Sequence, residues 1–455
     1  VVNSNGATIT RGGAKPLRMF HVQRGGNLTL QNVTVTNGLT VNNVGGAGVF
    51  NDLGKLTITA STISGNKATA TTASLTGKGT DATGGGIATT GTTTITNSVV
   101  TGNRALSASA KAGNTTIGEP FATGGGIAAK GGVLKVVNST ISQNAALATG
   151  TGGRTALATG AGISAIGNTE VSANLNVTVT GSTVSGNRTF ATSTGGTANS
   201  AVALGGGITQ VHQGVGQDSL AVINSTITSN TADSLSGGVS TSAGGAILEF
   251  GTKGDTLSVI NSTIAGNKTT GNPKFSGAVQ STSTGATSTM TNTIIASNIG
   301  ANCNGTLVDG GSNISFPASD TSCTATFSHG NPLLGPLQDN GGPTQTMALG
   351  TGSAAIDTAF AIVCGQAQPA GAGGVDQRGL PRMEVVADPK CDIGAFEVQP
   401  VVAAVQPATP TLPKAGTPGS GGTQGLPWPL LVPVAAAAAG ALAGAARRLR
   451  GDPRS

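Results

Sequence analysis

NSTIAGN, residues 261–267, is the stretch of sequence that decides the fold, because variants of it recur along much of the chain. NSTITSN stands at 224–230 and NSTISQN at 138–144. The closing Asn recurs every 29 to 43 residues, at Asn37, Asn66, Asn103, Asn144, Asn187, Asn230, Asn267 and Asn298. A repeat of this length is typical of a solenoid, in which each coil buries its apolar face against the next.

Each repeat contains three segments that favour strands. The first is a glycine cluster followed by an aliphatic residue, such as GGGI at 205–208. The second is a segment in which large apolar residues stand at every second position, such as LAVIN at 220–224. The third is the seven-residue segment of the NSTIAGN type, which we call the heptad. Period-two alternation indicates that one face of a strand is buried. Helical periodicity is absent, so the pattern predicts an all-β chain, a right-handed single-stranded parallel β-helix of eight coils with three short strands per coil.

The recurrence of the closing Asn has a physical explanation. Equivalent residues of successive coils lie about 4.8 Å apart, so an inward Asn can donate its side-chain amide to the side-chain carbonyl of the next coil. The predicted ladder comprises Asn66, Asn103, Asn144, Asn187, Asn230, Asn267 and Asn298. Ile141, Ile227 and Ile264 are expected to stack in the interior. We favour this interpretation over glycosylation of the Asn-X-Ser/Thr sequons, because the sequons are expected in packed turns.

Segments rich in Ala, Thr, Ser and Gly separate each closing Asn from the next glycine cluster, as at 67–83. They occupy the same position in every coil, so we expect a row of loops along one edge of the solenoid. Such a row is a natural location for a glycan or protein ligand.

The composition supports strands and argues against a nucleic-acid partner. Of 455 residues 74 are Gly, only 2% are aromatic and 9% are charged, as expected for many short strands joined by tight turns. The net charge is +6, and the last nine residues, with four Arg and one Asp, contribute +3 of it. No basic stripe with interleaved aromatic residues occurs, so we predict no nucleic-acid binding.

Four cysteines lie in the last third of the chain, at Cys303, Cys323, Cys364 and Cys391. Their even number, the absence of CxxC spacing and the lack of nearby His pairs favour disulfides over a metal site. Disulfides indicate an oxidising compartment outside the cytoplasm. Four cysteines permit three pairings.

Catalytic residues are not evident in the coils. Glu249 and Asp255 lie near each other with Lys253 between them, and we interpret this segment as a solvated loop. The histidines are isolated, at His21, His212 and His329. We therefore expect no catalytic, cofactor-binding or metal-binding residues. The alternative is a polysaccharide lyase or glycoside hydrolase on a β-helix scaffold, which would need clustered carboxylates, with a basic residue for a lyase.

Two features resemble known bacterial families. The recurring GGGI and SGN motifs resemble the coil repeats of surface β-helix proteins such as the polymorphic outer-membrane proteins. More specifically, NPLLGPLQDNGGPTQTMALGTGSAAIDTA at 331–359, DQRGLPR at 376–382 and CDIGAFE at 391–397 resemble the choice-of-anchor Q domain. The resemblance implies a C-terminal cap on an exported, surface-attached protein, and it implies no reaction.

The resemblance and the short separations together favour the disulfides Cys303–Cys323 and Cys364–Cys391. The densest group of charged residues in the chain also lies in this block, and we expect it to form buried ion pairs and turn contacts that fix the cap. Its members are Asp357, Asp376, Arg378, Asp392 and Glu397.

The C-terminal tail predicts attachment to the cell envelope. A Pro- and Gly-rich linker contains LPKAG, formed by Leu412, Pro413, Lys414, Ala415 and Gly416. An uncharged segment at 426–446 is followed at once by RRLR. This tail resembles a sortase sorting signal in which Ala415 replaces the usual Thr, and the alternative is a plain membrane anchor. Either way the basic end is expected in the cytoplasm and the β-helix outside.

The predicted organisation has five parts: coils at 1–300, the last coil and cap at 301–397, a disordered linker at 398–425, a short hydrophobic helix at 426–446 and a basic tail at 447–455. The chain opens on Val1 in β-like sequence, and we expect a truncated or processed N-terminus. The expected function is that of a non-catalytic stalk or adhesin-like module on the cell surface, without a cofactor.

Overall fold

The computed structural model describes residues 1–42, 45–71, 80–109, 119–167, 174–195, 200–212, 216–270, 276–282, 285–382 and 390–400. Val1–Pro400 form one compact unit. Strands of successive coils pair in parallel, so the predicted parallel β-helix is confirmed. The helix within these ranges is the short segment Ala361–Gly365.

The largest sheet, sheet A, has 18 strands in two rows. The first row is formed mostly by the alternating segments, with strands Val2–Thr10, Asn27–Thr36, Lys55–Thr59, Thr92–Thr96, Gly132–Val137, Leu175–Thr180, Ser219–Ile223, Thr256–Ile260, Thr287–Thr291 and Val308–Asp309. The second row is formed mostly by the heptads, with strands Thr62–Ser64, Val99–Thr101, Thr140–Ser142, Thr183–Ser185, Thr226–Thr228, Thr263–Ala265, Ile294–Ala296 and Ile314–Phe316. Every second side chain of these strands points inward, as Leu56 and Ile58 illustrate.

The nine-stranded sheet B forms from the segments that follow the glycine clusters. Its strands are Phe20–Val22, Val49–Asn51, Ile87–Thr89, Ile127–Ala129, Ile163–Ile166, Ile208–Val211, Ile247–Phe250, Ser276–Ser281 and Ala301–Gly305. Gly84 and Gly124, which precede two of them, have φ of 58° and 62°. A Cβ on Gly84 would lie 2.4 Å from the Ile87 carbonyl oxygen. Both the positive φ and the close approach require glycine here.

The insertions add strands that the sequence did not predict. Their described ends form the seven-stranded sheet C and the five-stranded sheet D. Sheet C consists of Leu39–Val41, Lys67–Thr71, Arg104–Ser109, Ala145–Thr151, Arg188–Thr194, Thr231–Ser236 and Lys268–Thr270. Sheet D consists of Thr80–Thr83, Pro120–Thr123, Ala156–Thr159, Ser200–Leu204 and Val239–Ala243. Many coils therefore have more than the predicted three strands, and much of the expected loop row lies outside the described residues.

Two apolar cores run along the stack. Val, Ile and Leu side chains of sheets A and B fill the main core, which includes the predicted Ile141, Ile227 and Ile264, all fully buried. Ile227 pairs in register with Ile264 of the next coil. A second core consists of Ala side chains between sheets C and D, such as Ala105 and Ala122. We call sheets C and D the alanine fin.

The Asn that opens the heptad forms the turn between the two rows of sheet A. Asn97, Asn138, Asn224, Asn261 and Asn292 all have φ between 46° and 50°. Asn is one of the few residues other than Gly that adopt this left-handed conformation readily. Asn224 and Asn261 are buried, in agreement with the expectation that these sequons lie in packed turns.

The C-terminal cap has two parts. Cys303, Leu307, Cys323 and Phe327 belong to the main core at its last coil, so this segment closes the end of the solenoid. The described residues of 331–397, namely 331–382 and 390–397, lie instead along the flank of sheet A, and we call them the clasp. The clasp reaches four successive coils, and it therefore acts as a lateral brace as well as a cap.

Both predicted disulfides are confirmed. Cys303 and Cys323 are joined with Cα atoms 4.8 Å apart in the end closure. Cys364 and Cys391 are joined with Cα atoms 6.7 Å apart within the clasp.

The LPKAG motif, the hydrophobic segment and the basic tail lie outside the described residues. Within the ranges that are described, no helix is long and apolar enough to span a membrane.

Candidate functional site

The Asn ladder runs without a break from Asn66 to Asn298. At one rung, the backbone N–H and the side-chain Nδ2 of Asn144 both donate to Oδ1 of Asn187 at 3.0 Å. The same Nδ2 donates to the Val100 carbonyl at 2.9 Å. These side-chain bonds link Asn66, Asn103, Asn144, Asn187, Asn230, Asn267 and Asn298. The ladder thus satisfies polar groups that would otherwise be buried without partners.

The first closing Asn was assigned one residue out of register. Thr36 pairs with Ser64, so Asn37 is equivalent to Gly65. The residue equivalent to Asn66 is Gly38, whose N–H donates to Asn66 Oδ1 at 2.8 Å. Gly38 therefore occupies the N-terminal end of the ladder, and the exposed Asn37 contacts Arg11 instead.

A second ladder, of Ser residues, was missed by the sequence analysis. The backbone N–H of each heptad Ser donates to Oγ of the Ser in the next coil, for example Ser139 to Ser182 at 3.1 Å. The series comprises Ser61, Ser98, Ser139, Ser182, Ser225 and Ser262. The signal was present in the sequence, because the Ser recurs in the same heptads as the Asn.

Four of the five charged clasp residues lie together. The carboxylates of Asp376, Asp392 and Glu397 are buried, and Arg378 pairs with Asp376 at 2.7 Å. The fifth, Asp357, is exposed, although its backbone N–H donates to Asp392 Oδ1 at 2.9 Å. The cluster therefore fixes turns of the clasp, as expected.

Arg382, which the sequence analysis did not single out, connects the clasp to the coils. It is fully buried and pairs with Glu397 at 3.3 Å. Its Nη2 donates to Asn224 Oδ1 at 2.9 Å and to the Gly394 carbonyl at 2.7 Å. A buried guanidinium is tolerated because its donors are satisfied in this way.

Burial dominates the acid–base properties of this cluster. It raises the pKa of Glu397 to about 8, and the neighbouring Asp392 carboxylate adds to the rise. Burial also raises the pKa of Asp392.

A different group, His212, Asp218 and Asp255, contradicts two interpretations made from sequence. His212 is not isolated, because its Nδ1 lies 3.3 Å from Asp218 Oδ2 and 3.2 Å from Asp255 Oδ1. Asp255 and Glu249 do not form a solvated loop, because both are fully buried. Asp218 and Asp255 are equivalent residues of adjacent coils, since Ser219 pairs with Thr256. We call these three residues the His–Asp–Asp cluster.

Backbone donors hold both carboxylates of the cluster in place. Asp218 Oδ1 accepts the Leu175 N–H at 2.9 Å, and Asp255 Oδ1 accepts the Asp218 N–H at 2.7 Å. Burial raises the pKa of Asp218, with a smaller contribution from the Asp255 charge. The repeated Asp before the segments at 220–224 and 257–261 was the sequence signal for this pair.

An apolar groove of about 330 Å³ runs between sheet D and sheet B. Phe121, Leu157 and Leu204 line it on the side of the alanine fin, and Val211 and Phe250 line it on the other side. His212 directly follows Val211, so the His–Asp–Asp cluster begins at the edge of the groove.

No known protein family, curated protein or solved structure matches this chain. The ladders and the clasp cluster consist of buried groups that bond to one another. The His–Asp–Asp cluster differs, since an imidazole nitrogen and two carboxylate oxygens converge on one point.

Proposed function

We propose that this protein is an exported, non-catalytic β-helix module displayed on a bacterial cell surface and attached through its C-terminal tail. The observation that carries the proposal is the pair of closed disulfides. Disulfides form and persist outside the reducing cytoplasm, so they support folding in an exported state. The resemblance of the tail to a sorting signal supports the route of attachment.

The use of the buried polar groups supports a non-catalytic role. The Asn and Ser ladders bond to adjacent coils, and the clasp carboxylates bond to Arg side chains and backbone N–H groups. Cleavage of a polysaccharide would need carboxylates that reach the sugar. In the His–Asp–Asp cluster the side chains of His212, Asp218 and Asp255 are only 7%, 4% and 0% exposed.

The stacked coils are compatible with either a stalk or an adhesin-like module. The first row of sheet A contains ten stacked strands, which at about 4.8 Å per coil span about 43 Å. The side of this stack carries the alanine fin and the apolar groove, and these surfaces are where a ligand would bind an adhesin-like module.

The proposal is tested on the full chain in the bacterium that carries it. We expect the chain in the cell envelope, with its coils cleaved by a protease added to intact cells. C-terminal peptide analysis then distinguishes the two attachment routes: a chain ending at Ala415 on wall fragments supports sorting, and an intact Ser455 in the membrane fraction supports a plain anchor. Recovery of the full-length chain from the cytosol alone would contradict surface display.

Incubation with a panel of neutral and acidic polysaccharides, with and without calcium, tests the non-catalytic assignment. We expect no new reducing ends and no unsaturated products. Turnover of any polysaccharide would favour the carbohydrate-active alternative.

A further inference from the structure

We propose that His212, Asp218 and Asp255 bind one divalent transition-metal ion, with zinc as the best fit, and that this ion joins two adjacent coils. The site is independent of surface display, and the sequence analysis did not predict it.

The ligand set fits such an ion. Zinc binds imidazole nitrogen and carboxylate oxygen at about 2.0–2.2 Å, so two ligands of a tetrahedral site lie about 3.4 Å apart. His212 Nδ1 lies 3.3 Å from Asp218 Oδ2 and 3.2 Å from Asp255 Oδ1. All three ligand atoms lie within 4.8 Å of one another. Three protein ligands leave one tetrahedral position for water.

One carboxylate oxygen is directed at the imidazole without a well-aligned hydrogen bond. Asp218 Oδ2 is buried and lies 3.3 Å from His212 Nδ1, and among the residues that the structure describes it accepts no hydrogen bond of normal geometry. The other oxygen of the same carboxylate is held by the Leu175 N–H. This arrangement, with one oxygen oriented by the backbone and the other directed into the site, is typical of a metal-ligating carboxylate.

The charges of the site also favour a cation. Two carboxylates are buried here, and among the described residues no Lys or Arg lies within 4 Å of either one. His212 contacts both carboxylates but can carry at most one positive charge, and burial of the remaining negative charge is costly. A divalent ion would neutralise both carboxylates.

Glycine leaves room beside the site. A Cβ on Gly251 would lie 2.1 Å from Glu249 Oε1 and 3.0 Å from Asp255 Oδ2. Glycine therefore allows the chain to pass close to the carboxylates of Glu249 and Asp255. The ion would add a bond between the two adjacent coils at the corner between sheets B and A.

The test uses the full chain, freed of metal with a chelator and titrated with zinc chloride. We expect one zinc per chain, measured by elemental analysis and calorimetry, with a dissociation constant of about 1 μM or tighter. Zinc should also raise the melting temperature. No stoichiometric binding, or tighter binding of calcium than of zinc, would overturn the proposal.

Two variants and a matched control locate the site. Asp218→Asn keeps the acceptor for the Leu175 N–H but replaces the ligating oxygen, and His212→Gln removes the imidazole. We expect each to weaken zinc binding by at least about 100-fold, the upper end of the range for losing a group that only orients a ligand. His21→Gln, at an exposed histidine that stacks on Phe50, should bind like the wild type. Unchanged binding in folded Asp218→Asn protein, checked by circular dichroism, would overturn the assignment.

Discussion

Arg382 and Glu397 illustrate how single residues hold the clasp to the coils. Three carboxylates, of Asp376, Asp392 and Glu397, are buried with the guanidiniums of Arg378 and Arg382. One negative charge is therefore in excess, and an unpaired charge in a desolvated site is unfavourable. Burial is the main cause of the raised pKa of Glu397, and the neighbouring Asp392 carboxylate adds to it, so a proton on Glu397 relieves the excess.

The raised pKa gives a testable pH dependence. Glu397 titrates near pH 8 in the folded chain and near 4.5 when unfolded, so the folded state holds an extra proton between these values. The stabilising effect of this proton is complete below about pH 4.5. It is lost as the pH rises to about 8, and the free energy of unfolding falls by at most about 1.4 kcal/mol per pH unit over this range. We expect Glu397→Gln to flatten the fall in melting temperature over this range. Glu119→Gln, at an exposed acid, should leave it unchanged, and an equal slope in Glu397→Gln would contradict the assignment.

Contacts between equivalent residues of successive coils could be predicted from the sequence, and contacts between residues at different positions of the repeat could not. The Asn ladder was visible because each copy is the partner of its neighbour. His212, Asp218 and Asp255 lie in different parts of two coils, and Arg382 meets Asn224 from 158 residues away. Such contacts depend on which turns of the folded chain face each other. The periodicity of the sequence does not predict that arrangement.

At the scale of one coil, the main core depends on inward aliphatic side chains in register. Ile227→Asp places a charge in a column where Ile227 contacts the equivalent positions of both adjacent coils. We expect destabilisation of at least about 3 kcal/mol, since emptying such a site alone costs that much. Hydrogen exchange should show lost protection in this coil and its neighbours.

The matched control is Leu235→Asp, because Leu235 is 65% exposed on sheet C. We expect a change within about 0.5 kcal/mol. Wild-type protection in Ile227→Asp would mean that the assigned inward face is incorrect.

The alanine fin shows why some elements escaped prediction. The composition of KATAT at 67–71 and RALSAS at 104–109 is that of a loop, with Ala, Thr and Ser. Buried and more exposed side chains nevertheless alternate in both segments. The buried ones include Ala68, Ala70 and Ala105. Ala buries too little area to stand out from polar neighbours, so the period-two signal was present but weak.

For the whole molecule, the clasp is the main departure from a simple stack. Gln377 donates to Thr183 Oγ1 at 2.9 Å and accepts from Thr226 at 2.6 Å, so one side chain connects two coils. The end closure covers the last coil, and the clasp braces the four coils before it. The sequence predicted a cap, but its path along the flank follows from contacts that no repeat encodes.

The central claim is that the coils form one in-register parallel stack, and paired cysteines test it most directly. Lys135 and Thr178 are register partners in adjacent coils of sheet A, and strand partners lie close enough for a disulfide. All four native cysteines are already paired, so introduced thiols report only on each other.

We expect Lys135→Cys with Thr178→Cys to form a disulfide under mild oxidation, detected by non-reducing peptide mapping. The control pairs Lys135→Cys with Asn176→Cys, two residues out of register on the same outward face. Its Cα atoms lie about 8 Å apart from strand geometry, too far for a disulfide. Cross-linking of the in-register pair alone is the result that we expect. Cross-linking of the control pair alone, or of neither pair, would contradict the stack.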